Sequence, residues 1–298
     1  MMSLFTRRVT SIVGACAGAA LFLPNLASGQ MQPATAQDVP SDQIVIAYIQ
    51  PENSAYQEMY DLLQKYHALE NVREILNPIR LREQLTIKTM ECGVINCRYG
   101  RENFKPTVTI CYEFLRHILE SLSNEAAPDG VTPSDAAVGQ FLWVTLHEVG
   151  HATFDILDVP IFGHAEDAAD NFATYIMLQF GREPARRLVL GAAWAWRAYL
   201  GDYKKNPVVP LRLSAFADEH GLPQERFYNL SCLAFGAHPD TFAELQRFLP
   251  LSRAQNCVLE YRSLVRAFEK QIGPYVDQQM ARHVDDTDWV STLETKAP

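Results

Sequence analysis

Apolar positions follow two kinds of pattern along the chain: short strand-like runs before residue 112 and mainly helical spacing after it. Ile44–Ile49 is a continuous apolar, β-branched run suited to a buried strand. Leu85–Met90 and Thr107–Tyr112 are further strand candidates, joined by a loop holding Asn96, Gly100 and Asn103. Ala55–Leu69 carries Tyr56, Met59, Leu62, Leu63 and Tyr66 at helical intervals, Asn71–Leu76 extends or follows it, and Pro78 interrupts the pattern. Glu113–Leu122 reads as a helix and Asn124–Pro133 as a turn-rich connection. Ser134 is then the expected cap of a helix over Ala137–Phe154, with a second helix over Glu166–Phe180. Beyond Gly181 the pattern is almost wholly helical, in Pro184–Tyr199, Pro223–Phe235, Thr241–Phe248 and Ser252–Ile272. Trp194, Trp196 and Tyr199 read as packing aromatics, and Trp289 is the candidate to dock the charged tail Pro274–Pro298.

The first residues obey a different rule. Arg7 and Arg8 give a positive start, Val9–Leu23 is uncharged and mostly apolar, and Ala27-Ser28-Gly29 is a small-residue cleavage signal. Residues 1–29 therefore read as a secretory signal peptide, its apolar run too short for a spanning helix. Thr6-Arg7-Arg8 also resembles a twin-arginine start and Val13-Gly14-Ala15-Cys16 a lipoprotein box, although the apolar run continues past Cys16 to Leu23. Residues 30–42, rich in Pro, Ala, Gln and Asp, read as a flexible mature N-terminus.

What remains is enough for one large domain with a real core: an N-terminal lobe over 43–181 and a helical C-terminal lobe over 182–298. The expectation is a secreted or periplasmic protein with no membrane-spanning segment in the mature chain. Loss of Arg7 and Arg8 takes the net charge from −9 to −11, which disfavours nucleic acid and anionic membrane as partners. Of the six cysteines, five follow the leader, and an oxidising compartment makes disulfides expected. Cys232 and Cys257 fall on neighbouring helices and are one candidate pair. Cys92 and Cys111 flank a loop between strands and are a second, leaving Cys97 free; Cys92–Cys97 and Cys97–Cys111 remain open alternatives.

The 137–154 helix contains His147-Glu148-Val149-Gly150-His151. One helical turn separates the two histidines, so both imidazoles can reach one metal ion while Glu148 sits beside them, placed to act on a water. A catalytic zinc needs a third protein ligand and an open position. Glu166 can supply that ligand from the second helix, and Asp170, one turn on, can hold the other N–H of a ligating histidine. His164 is an alternative ligand; Asp155 tempts the same reading but lies on the first helix, past His151. Phe154 and Leu157 replace the glycine and histidine of a metzincin continuation and exclude that class. Gly150 and the alanines Ala168, Ala169 and Ala173 would let the two helices approach closely.

Glu166-x-x-x-Asp170 after H-E-x-x-H resembles the gluzincin peptidases, the thermolysin-like clan. More closely, the stretches HEVGHATFD and EDAADNFAT resemble a family of secreted bacterial metallopeptidases, and the likeness extends over most of the chain after Gln43. The resemblance implies an α+β, predominantly helical, zincin-like fold with a small N-terminal sheet and a helical C-terminal lobe. It also implies one zinc per chain held by His147, His151 and Glu166, Glu148 as general base, and a protein or peptide substrate. A zincin sheet offers an edge strand to extended substrate, for which Thr107–Cys111 is the candidate. In thermolysin-like enzymes the donor to the developing oxyanion comes from the lobe after the third ligand. Tyr228 is the leading candidate here, followed by His238 and His220. Two rivals stand beside this reading: a non-catalytic zinc-binding protein, and a metal-free helical interaction protein of the cell envelope.

Overall fold

The computed structural model describes residues 43–122, 130–198 and 217–287. The expected signal peptide, the segment before Gln43, most of the 124–133 connection, Tyr199 and Trp289 lie outside these residues.

Four strands, β1 (Ile44–Tyr48), β2 (Leu85–Met90), β3 (Cys97–Glu102) and β4 (Lys105–Cys111), form one sheet in the order β1-β2-β4-β3. β1, β2 and β4 run parallel, and β3 is antiparallel to β4. From Pro106 to Cys111 every residue of β4 is buried, the mark of an interior strand. The edge expected at Thr107–Cys111 therefore lies one strand further out, on β3. The sequence pattern assigned β3 to a loop, because Cys-Arg-Tyr-Gly-Arg-Glu shows neither an apolar run nor alternation. What makes it a strand is the two-residue turn Asn103-Phe104. Both residues are left-handed, with φ of 48° and 68°, and reverse the chain straight into β4. Cys92 is bonded to Cys111 and Cys232 to Cys257, which closes the alternatives, and Cys97 is a buried free thiol.

The long apolar period before β2 divides into α1 (Gln57–Lys65) and α2 (Ala68–Leu76), because His67 takes a left-handed φ of 51° between them. Tyr112 is the first residue of α3 (Tyr112–Ser121) and not the last of a strand. α4 (Pro133–Leu157) begins earlier than the apolar period suggests and is capped by Thr132, not Ser134. The Thr132 hydroxyl accepts the Asp135 N–H at 3.1 Å, the Asp135 carboxylate accepts the Thr132 N–H at 2.7 Å, and Pro133 fills the first helical position. α5 (Ala165–Leu178), α6 (Arg182–Ala198) and α7 (Pro223–Ala237) follow. α8 (Ala243–Gln246) and α9 (Leu251–Ala254) are single turns, so the helix expected over 252–272 is two elements, α9 and α10 (Cys257–Gln271); α11 (Gln278–Asp286) comes last among the described helices.

α4 packs against α3, α5, α6, β3 and β4, and from Leu142 to Gly150 it is buried on every side. Such a helix is a core element and loses the polar stripe of a surface helix. One continuous core runs from Ile44 and Ile87 through Leu146 and Phe172 to Leu190, Phe227 and Phe268, so the sheet and the helices after residue 181 share it. The Cys232–Cys257 disulfide ties α7 to α10. Arg80 pairs with Asp277 at 2.7 Å beside the Ile79–Val276 bridge, tying the chain's last turns back to the N-terminal part.

Two glycines set the α4–α6 crossing. A Cβ on Gly139 would lie 2.3 Å from the Leu188 carbonyl oxygen, and one on Gly191 would lie 2.2 Å from that of Asp135. Gly191→Ala gains about 1 kcal/mol of helix propensity. The collision with backbone outweighs this, and a net loss of about 1–3 kcal/mol is expected. The check is the urea midpoint, which should fall with m unchanged; a midpoint at or above wild type would contradict the close crossing.

Candidate metal centre

The site forms where the middle of α4 meets the first two turns of α5. Asp158 ends α4 in a left-handed conformation, φ 52°, and Gly163 at φ 113° completes the reversal into α5. The helices can then close on each other because Gly150 has no side chain. A Cβ there would sit 3.2 Å from the Ala169 Cα and 3.3 Å from Phe172, and Ala169 and Ala173 are fully buried in the contact.

His147 Nε2 lies 3.2 Å from His151 Nε2 and 3.0 Å from Glu166 Oε2, and His151 Nε2 lies 3.3 Å from Glu166 Oε1. Ligands ~2.1 Å from a tetrahedral zinc stand ~3.3 Å from one another. The two Nε2 atoms stand at about that spacing, each faces one oxygen of the Glu166 carboxylate, and two imidazoles with one carboxylate suit that ion. The other group of three potential donors among the described residues, Cys92, Cys111 and Glu113, has both sulfurs joined in a disulfide.

His147 is all but inaccessible, and Asp170 Oδ1 stands 2.6 Å from its Nδ1. Asp170 thus holds a proton on Nδ1, so that a metal ion would take Nε2, which faces His151 and Glu166. Burial pulls the His147 pKa down, but hydrogen bonds with Asp170 and Glu166 outweigh it and raise it to about 9. Hydrogen bonds from His147 and His151 hold the Glu166 carboxyl well below the usual range, against the effect of burial. Burial opposes ionisation of Asp170 as well, yet its bond with His147 and the charge of Arg226 win and lower its pKa. The Glu166 and Asp170 carboxylates favour a cation, whether proton or metal, at the His147 ring.

Glu148 points the other way, toward the sheet. Its Oε2 accepts the backbone N–H of Tyr99, on β3, at 2.7 Å. Burial raises its pKa, while the neighbouring histidines restrain the rise. β3 is pinned in this position by Asp155, which bonds the Tyr99 hydroxyl and takes Arg101 Nε at 2.9 Å. Arg101 in turn bridges to Glu83.

Over residues 48–272 the sequence matches the family DUF4344, whose description reads "Putative metallopeptidase". The chain belongs to that family. No curated protein and no solved structure matches it. The span that defines this metallopeptidase family takes in β2, β3, β4, both site helices and α7.

Among the residues marked out by the sequence, His147, His151, Glu166 and Asp170 converge, with Glu148 alongside. Asp155 serves β3, and His164 is exposed at the start of α5, outside the three-donor group. The ranking of oxyanion donors needs correction. Tyr228 is half-buried and packs against the apolar core beside Phe227, with rings 5.3 Å apart; His238 caps the far end of α7. His220, ranked last, is the one at the site: its Nε2 stands 3.0 Å from Glu166 Oε2 and its ring stacks 6.0 Å from that of His147. The reason is helical phase. Arg226 on α7 faces the centre, and Tyr228, two residues on, is turned about 200° away.

Arg226 itself escaped the sequence reading, although it lies in the polar cluster Gln224–Asn229. Trp143 could have been found, one turn before His147 on the same face. Cys97 also belongs to these surroundings: burial, and secondarily the Glu148 charge, lift its thiol well above the ordinary range. Native protein treated with iodoacetamide at mildly alkaline pH should keep Cys97 unmodified, with labelling only after denaturation, as read by peptide mass spectrometry. Ready labelling of the native fold would contradict this burial.

Proposed function

We propose that the chain is a zinc-dependent peptidase in which His147, His151 and Glu166 hold one zinc and Glu148 is the general base. The observation that carries the reading is the convergence of the two imidazole Nε2 atoms, 3.2 Å apart, on the two oxygens of the Glu166 carboxylate at 3.0 and 3.3 Å, with Glu148 beside them. Membership of the metallopeptidase family supports the class of reaction.

Zinc bound there supplies a Lewis acid for the scissile carbonyl and lowers the pKa of water toward ~7. Glu148 takes the proton of the attacking water and delivers it to the departing nitrogen. A carboxyl whose pKa is already raised by burial suits both halves of that transfer. Asp170 holds His147 in the tautomer that offers Nε2. His220, half exposed beside Glu166, is the candidate donor to charge growing on the carbonyl oxygen. An extended peptide would lie along β3, the sheet edge that faces α4 through Tyr99. The signal-peptide pattern and two disulfides favour a secreted or periplasmic setting, and no described helix is long and apolar enough to cross a membrane.

A closed, purely structural zinc site would fill its fourth position with Cys or His. His220 bonds Glu166 and stands outside the three-donor group, which favours the catalytic reading.

Three variants test it. Zinc measured in protein purified without chelator should be about one per chain, and Glu166→Ala should lose most of it. Glu148→Gln should keep the metal while hydrolysis of a peptide substrate falls by about 10²–10⁴-fold; turnover close to wild type would remove Glu148 from its role. His220→Ala should keep zinc and lower kcat by roughly 10²–10³-fold, and an unchanged kcat would leave the oxyanion to the metal alone.

A further inference from the structure

We propose that Arg226 is a positioning residue of the metal centre, acting through Asp170 to fix the ring of His147. The inference rests on the metal reading of His147, His151 and Glu166 and adds to it a layer supplied by α7, 56 residues after Asp170.

Asp170 reaches His147 through Oδ1 alone, so the orientation of the imidazole depends on the plane of that carboxylate. Arg226 holds the plane with two bonds, Nε to Oδ2 at 2.9 Å and Nη2 to Oδ1 at 2.5 Å. Nη2 is also 3.2 Å from His147 Nδ1. A guanidinium has no lone pair to offer that nitrogen, so both N–H groups converge on the shared Oδ1. The fork is immobilised in turn. Its central carbon lies 4.7 Å from the ring centroid of Trp143 on α4 and 4.6 Å from that of Trp196 on α6. Those two rings pack edge to face, and Trp143 also stacks on His147. Four helices thus meet on one unit: α4 gives the ligand and one aromatic wall, α6 the other wall, α5 the carboxylate and α7 the cation.

Charge alone does not require this arrangement. A lysine would neutralise a buried aspartate, but only a planar fork fixes both oxygens at once, and the two tryptophan rings beside it hold it in place. Arg226 therefore determines the direction of the Nε2 lone pair and, through it, the affinity of the centre for zinc.

The experiment measures zinc affinity by competition with a chromophoric chelator, without recourse to turnover, in wild type, Arg226→Met, Asp170→Asn and the double variant. Far-UV circular dichroism confirms that each is folded. Arg226→Met keeps an apolar stem between the tryptophans and should weaken zinc binding by about 10–100-fold. The double variant should bind no more weakly than Asp170→Asn alone, because a residue acting through another adds nothing once that other is gone. A general packing role would lower affinity additively, and that result would overturn the proposal, as would wild-type affinity in Arg226→Met. Should Arg226→Met fail to fold, Arg226→Lys makes the same comparison. It keeps the charge without the fork and should lose about 10-fold; full retention would overturn the role of the fork. A wild-type protein that takes up no zinc would remove the metal reading and this inference together, a result distinct from any of the variant outcomes.

Discussion

Ionisable side chains at the centre of a helix buried on every side are costly without partners inside the protein, and that constraint shapes the surroundings of His147 and Glu148. α4 carries His147 and Glu148 into its core, where an unpaired imidazole or carboxylate would cost several kcal/mol. Three elements supply the partners. α5 brings Asp170 to one ring nitrogen of His147 and Glu166 to the other, β3 brings a backbone N–H to Glu148, and α7 brings Arg226 to Asp170. The candidate metal centre is the point at which these obligations meet, and so the three potential ligands and the packing draw on the same side chains.

Such convergence needs close contact between helices. Small residues stand where backbones meet: Gly139 and Gly191 between α4 and α6, and Gly150 with Ala169 between α4 and α5. A larger residue at any of these points would push apart the elements that deliver the polar partners. Packing density and site geometry are therefore coupled, and a fault in one is read in the other.

β3 is governed by the same coupling from the sheet side. Asp155, one turn past His151, holds Tyr99 and Arg101, and the Asn103-Phe104 turn locks β3 onto the interior strand β4. The sheet edge is in this way fixed relative to Glu148. Any extended chain laid along it would meet Glu148 in a set register, because Tyr99 belongs to the edge and to the glutamate's own hydrogen bond at once.

Local rules were enough for part of this. A turn of helix separates His147 from His151 and Glu166 from Asp170, so their pairing on two helices was legible in the residues, as were the apolar runs of β1 and β2. The sequence also read Gly150 and the alanines of α5 as a place for two helices to meet. Tertiary structure decided whatever depends on partners distant along the chain. β3 is a strand because β4 completes it, despite a polar sequence with no alternation of its own. Arg226 reaches Asp170 across 56 residues and Tyr99 reaches Glu148 across 49, separations at which periodicity carries no information. That Arg226 and not Tyr228 faces the site turned on the rotational phase of α7, which disulfide and core contacts to α10 and α6 set. Helical spacing places side chains relative to their own axis; only packing places one axis relative to the next.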